Sequence, residues 1–239
     1  MILSVEGLAK TGKTTIALTA PLPIVCFSFD MGHKRAIYGT QHEQHFAGLD
    51  IVVHPLDIKT EQSWAGNDIT IYELTEPIQL GAGLVTGYIE LWSHFLHLII
   101  PAIEDPNVST IVVDTMTLAR KIKAEAHLQK LQEDNVQKKE APRRQLLPVE
   151  YGPANLAIHQ IYKHCERYDK NVVATHHLRD HYTSQIRDGL KESVPDGTLE
   201  LEGWNDTYQE VDVAVRNEKK GKDISSTIQV CGYDPGLEG

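Results

Sequence analysis

Cysteine is scarce in this chain, positive charge is in the minority, and no apolar run is long. The only cysteines are Cys26, Cys165 and Cys231. They are odd in number, far apart and outside any metal-ligand spacing, so neither a disulfide framework nor a cysteine zinc site organises the fold. Reduced thiols are expected. Lys plus Arg total 23 against 33 Asp plus Glu, a formal charge of −10, which argues against a surface built to coat nucleic acid. Local basic loops on an acidic body remain open. No stretch nears the ~18 apolar residues of a membrane span. The most apolar piece, 88–103, is broken by Glu90, Ser93, His94, His97 and Pro101. The first residues lack the basic region and apolar run of a secretory signal, so a cytoplasmic protein with no membrane partner is expected. Internal repeats, low-complexity tracts and linkers are missing too. What remains, 41% hydrophobic and 23% charged residues, suffices for one core without staples, and a single domain over 1–239 is expected.

Against that ordinary background one motif stands out. Residues 7–14 read Gly7-Leu8-Ala9-Lys10-Thr11-Gly12-Lys13-Thr14, the pattern G-x-x-x-x-G-K-[ST] of a phosphate-binding loop. Ile2 to Val5 before it suit a buried strand, and Thr14 to Ala20 after it suit the first turns of a helix. Gly7 and Gly12 let successive backbone N–H groups point into one concavity, and the helix start adds the positive end of its dipole. Lys13 is placed to meet the β- and γ-phosphates of a nucleoside triphosphate, Thr14 to take one Mg²⁺ position, and Thr15 to offer a further donor.

Such a loop needs an acidic partner at the end of a neighbouring strand. Ile111 to Val113 form a β-branched run ending in Asp114, which supplies it; the bland alternative is a cap for the helix starting near Leu118. Further strands are expected at Ile24 to Phe29, Asp50 to His54, Ile69 to Leu74 and Asn171 to Thr175. Helices are expected at Tyr88 to Asp105, Leu118 to Asn135 and Asn155 to Tyr168. This alternation implies an α/β fold with a mostly parallel central sheet flanked by helices. Val211 to Val215 and Ser226 to Val230 read as a C-terminal β-hairpin turning over 217–223. Residues 136–150, with Pro142 and Pro148, read as a loop.

With its pieces in that order, the chain resembles the RecA-like branch of P-loop ATPases. More narrowly it resembles compact phage nucleotide-binding proteins that are little more than a RecA core, some of which act in single-strand annealing and recombination. The resemblance covers about 1–231 and is most specific at the Gly-Lys-Thr-Thr loop and the Asp114 strand. It implies a Mg²⁺-dependent ATPase that binds ATP and ADP, acts on single-stranded DNA, and is cytoplasmic (in a host cell, if viral). It also implies that Asp30, where the family more often has Glu, polarises the attacking water. An N-cap role for Asp30 is weighed equally with that one. His177, in preference to His176, would be the γ-phosphate sensor at the end of its strand.

The family's DNA-contacting loops would fall at 136–150, with Lys138, Lys139, Arg143 and Arg144, and at 178–203, with Arg179, Arg187 and the aromatic Tyr182. RecA-type filaments also reach a neighbour's γ-phosphate with Lys residues near the last hairpin. Here 226–233 carries no base, and only Arg216, Lys219, Lys220 and Lys222 are near, so ring or filament assembly stays open. The spacing His177-x-x-x-His181, with His176 and Asp180 beside it, is discounted as a zinc site because it follows a strand and no Glu stands after its first His, and His42-x-x-His45 is weaker still. Two alternatives are carried: a P-loop kinase for a nucleoside or small acceptor, and a nucleotide-gated switch with little hydrolysis.

Overall fold

The structure, a computed structural model, describes residues 1–39, 43–57, 59–74, 84–141, 143–187 and 190–239, without the side chains of 43, 185–187, 190, 191 and 205. His42 and Pro142, singled out above, lie outside the described residues.

Among the described residues nine strands follow in chain order: β1 (Ile2–Gly7), β2 (Ile24–Ser28), β3 (Ile51–Pro55), β4 (Ile69–Glu73), β5 (Thr110–Asp114), β6 (Asn171–Arg187), β7 (Leu190–Leu201), β8 (Val213–Lys220) and β9 (Asp223–Cys231). The helices are α1 (Lys13–Leu18), α2 (Gly32–Tyr38), α3 (Glu43–Phe46), α4 (Tyr88–Glu104), α5 (Met116–Gln137) and α6 (Gly152–Arg167). The sheet runs β3-β4-β2-β5-β6-β1-β8-β9, parallel throughout except for antiparallel β9 at the edge. The expected α/β class, with helices on both faces and a C-terminal hairpin, is the architecture present.

Strands this apolar have two faces to bury, and their side chains alternate between two cores. Val25, Phe27, Ile111 and Val113 pack toward α4, α5 and α6. Ile24, Cys26 and Val112 pack on the other side with Ala17 of α1, Ile37 of α2 and Phe46 of α3. Phe27 centres the first core, edge-on to Phe95 at 5.2 Å and stacked on Tyr72 at 5.5 Å. Trp92 is buried there, and Trp64 and Trp204 pack against it.

Register sets the site. Ser28 pairs with Asp114, and Gly7 pairs with His177, so the carboxyl ends of β1, β2 and β5 finish together beside the middle of β6. A crevice outside the carboxyl ends of parallel strands is where open α/β sheets hold ligands.

Several boundaries differ from expectation for local reasons. Helix α5 starts two residues early because the Thr115 side chain caps it, accepting from the Leu118 N–H at 3.2 Å. Helix α6 starts at Gly152 because Pro153 is tolerated in a first turn. The C-terminal turn shrinks to Gly221–Lys222, with Gly221 at φ 65, as a two-residue hairpin turn requires. The largest correction concerns 178–203. There β6 pairs antiparallel with β7 from Leu178↔Leu201 to Arg187↔Leu190, in place of the expected loop.

Candidate functional site

The loop between β1 and α1 is shaped by its glycines. Gly12 sits at φ +79, which an L side chain rarely adopts. A Cβ on Gly7 would lie 2.7 Å from the Asn217 carbonyl, so only glycine lets β8 approach there. Lys13 is buried, and its ammonium donates to the Gly7 and Leu8 carbonyls, each at 2.9 Å. Burial lowers its pKa, opposed by the charges of Asp114 and Asp30.

Thr14 donates to Asp114 Oδ2 at 2.9 Å, joining motifs one hundred residues apart. Thr175, on β6, donates to Asp114 Oδ1 at 2.5 Å. Burial and then the neighbouring Asp30 push the Asp114 carboxyl up to about 6, against those two hydrogen bonds and Lys13. For Asp30, burial works upward but is outweighed by His177, the Gly32 N–H and Arg35, which hold it below its ordinary value. Its Oδ1 accepts from Gly32 N–H at 2.8 Å, and Oδ2 faces His177 Nε2 at 3.9 Å, an ionic contact longer than a hydrogen bond. Asp30 thus holds the first N–H of α2 from one residue before its N-cap, Met31, and forms a wall of the cleft.

Gly32 was not foreseen. A Cβ there would lie 2.7 Å from Thr14 Oγ1, 2.8 Å from Asp30 Oδ1 and 3.1 Å from Asp114 Oδ2. One small volume is therefore ringed by three oxygens of the kinds a hard cation takes, and these residues fit Mg²⁺. Below it, the α2 start is fixed by His33. Its Nδ1 is 2.8 Å from Ser28 Oγ, and its Nε2 faces Glu73 at 3.2 Å.

A cleft of about 340 Å³ opens above these groups, lined by residues 9–15, Asp30, Gly32, Arg35, Ala36, His177, Lys219 and Ile224. The loop residues, Asp30 and His177 are therefore brought together, with Asp114 buried beneath through Thr14. His177 does face the cleft. His176 is buried against Ser4 Oγ at 3.0 Å, and burial pushes it down to about 4. Strand alternation turns the two neighbours to opposite sides of the sheet. Arg35 and Ile224 had not been singled out, because nothing in their local sequence ties them to the loop.

The candidate DNA contacts divide differently. Lys138, Lys139 and Arg144 are exposed. Arg143 pairs with Glu150, and Arg179 donates to Glu200 at 2.8 and 2.7 Å. His181 is held by Asp196 at 2.7 Å. Tyr182 is exposed on the arm, whereas the Arg187 side chain lies outside the described residues. Among the described residues no helix is long and apolar enough to cross a membrane.

No curated protein matches the chain. Among solved structures it is similar to a KaiC-like protein of the hyperthermophilic archaeon Pyrococcus horikoshii OT3, at 12% identity over 97% of this chain and 79% of that one, TM-score 0.45. It is also similar to the flagellar accessory protein FlaH of Methanocaldococcus jannaschii, at 10% identity over 100% of this chain and 81% of that one, TM-score 0.42. A family model described as AAA domain matches residues 2–231, so nearly the whole chain, phosphate loop and Asp114 strand included, belongs to the AAA domain family of P-loop ATPase folds.

Proposed function

We propose that this chain is a Mg²⁺-dependent ATPase acting on single-stranded DNA in recombination, annealing or repair, as some compact phage proteins of this build do. The observation that carries the catalytic part is the 2.9 Å hydrogen bond from Thr14 to Asp114 beneath the cleft. It joins the phosphate loop to the one acidic strand end such a site needs.

Catalysis would rest on position and charge, with no covalent enzyme intermediate. Lys13 would leave the Gly7 and Leu8 carbonyls for the β- and γ-phosphates, aided by the N–H groups of 9–15. Thr14 and Asp114, with Asp30 beside them, would hold Mg²⁺, which neutralises phosphate charge when bound. Asp30 would orient the attacking water, and its lowered pKa keeps it ionised for that task. His177, within ionic reach of Asp30, would report the γ-phosphate along β6 into the arm.

The DNA part rests on the resemblance and on the exposed bases at 138–144. The kinase alternative would need an Arg-rich lid over the cleft; Arg143 and Arg179 are engaged by carboxylates and do not line it. Steady-state ATP hydrolysis with and without single-stranded DNA tests the proposal. Turnover that rises with DNA and is lost in Lys13→Ala and Asp114→Ala is expected. Wild-type affinity and turnover in Lys13→Ala would sink it, and tight ATP binding with no turnover would favour the switch.

A further inference from the structure

The β8–β9 hairpin is docked on the phosphate loop by its own side chains. Asn217 is buried, its Nδ2 donates to the Thr11 carbonyl at 2.9 Å, and its Oδ1 accepts from Ser226 at 2.8 Å. Ile224 Cδ1 stands 3.3 Å from where a Cβ on Gly12 would be, so the hairpin rests on the loop with no gap. Side chains alternate along a strand. Asn217 and Lys219 therefore share the face turned to the loop, while Arg216, Glu218 and Lys220 share the opposite one. Arg216 accordingly turns away, to Glu6 at 3.1 Å. Lys219 pairs in register with Ile224, and both line the cleft with Lys13, Thr14 and His177. Lys219 is exposed at the cleft's edge, and among the described residues no carboxylate pairs with it, which leaves its ammonium available to a ligand in the cleft.

We propose that Lys219 is a same-chain ligand of the nucleotide's phosphates, laid over the phosphate loop by the hairpin. This rests on the ATPase reading above. Lys219 would move no proton and form no covalent bond. Its ammonium would meet the negative charge of the outer phosphates opposite Lys13, so each chain would carry its own second cation instead of taking it from a neighbour.

The test compares Lys219→Ala, Lys219→Arg and Lys220→Ala with wild type, reading ATP affinity, ADP affinity and kcat separately. Lys219→Ala should lower kcat, ATP affinity or both by roughly 10- to 100-fold, with ADP affected less and the melting temperature unchanged. Lys219→Arg should recover most of the loss, and Lys220→Ala, one residue along on the opposite face, should match wild type. Mixing Lys219→Ala chains with Lys13→Ala chains decides between same-chain and neighbour action. A same-chain ligand predicts turnover equal to the sum of the two preparations. Restored turnover in the mixture would overturn the proposal, as would a Lys219→Ala protein equal to wild type while Lys13→Ala is dead. A wild-type protein that neither binds nor turns over ATP would instead remove the ATPase reading and this proposal with it.

Discussion

Asp114 shows at the scale of one residue how the site trades stability for ligand readiness. In the free protein its carboxyl is raised to about 6 from 3.8, chiefly by burial and then by Asp30. A raised carboxylate pKa means the folded state holds the proton more tightly than the unfolded one. The stabilisation is complete below about pH 4 and is lost as pH rises through about 6, a swing of roughly 3 kcal/mol. Asp114→Asn should therefore melt higher than wild type above pH 6 in nucleotide-free buffer, by roughly 5–10 °C, with the gap closing toward pH 4. Melting curves from pH 4 to 8 check this; a gap that does not depend on pH would refute it. The same proton competes with Mg²⁺, so wild-type Mg²⁺–ATP affinity should fall below pH 6. Gly32 gives the complementary test. Its φ is outside the left-handed region, so alanine is allowed by the backbone, and only the added methyl matters. Gly32→Ala should keep ATP binding in EDTA yet lose the gain from Mg²⁺ by roughly tenfold or more. An undiminished Mg²⁺ effect would show that the ion does not use that volume. Lys13, Thr14 and Asp114 were legible in sequence because each motif spells its chemistry in a few adjacent residues. Gly32, Arg35 and Lys219 meet the loop only through strand order, which no local pattern states.

Elements were legible in proportion to how much of each is buried. β1, β2, β5 and the first part of β6 announce themselves as apolar runs because helices cover both of their faces. The described side chains at 181–184 of β6 and 192–198 of β7 are exposed or half-buried, so their sequence lacks the alternation that marks a half-buried strand, and 178–203 read as a loop. That account makes a prediction about the arm. Leu178 and Leu201 are buried at its base, whereas most described side chains beyond Asp180 and Leu199 are exposed or half-buried. Deleting 181–198 and joining Asp180 to Leu199 through Asn-Gly should cost less than roughly 1 kcal/mol by urea unfolding. ATP binding should be unchanged, since the arm's described residues beyond His177 do not line the cleft. A collapse in stability would mean that the arm packs on the core, and weakened ATP binding would mean that it reaches the site.

For the molecule as a whole, the question is how a chain of charge −10 could hold DNA at all. The answer depends on screening length. A globular fold of this length has a radius of gyration of ~18 Å. At about 0.01 M salt the Debye length is roughly 30 Å, so DNA would meet the acidic body as a unit and be repelled. Near 0.1 M it is roughly 10 Å, and only the nearest charges matter. At 138–144 those are Lys138, Lys139 and Arg144 set against the single acid Glu140, because Arg143 is already matched by Glu150. Single-strand affinity should therefore pass through a maximum as salt is raised. Beyond it, three phosphate contacts give a log–log slope of about −2. Replacing Lys138, Lys139 and Arg144 by alanine should abolish that limb, while Arg179→Ala should leave it in place, since Arg179 already answers Glu200. Fluorescence anisotropy with a labelled oligonucleotide from 10 to 500 mM salt measures both limbs. A steady fall from the lowest salt would mean that the bound strand never senses the acidic body. An unchanged slope in the triple variant would move the DNA site away from 138–144.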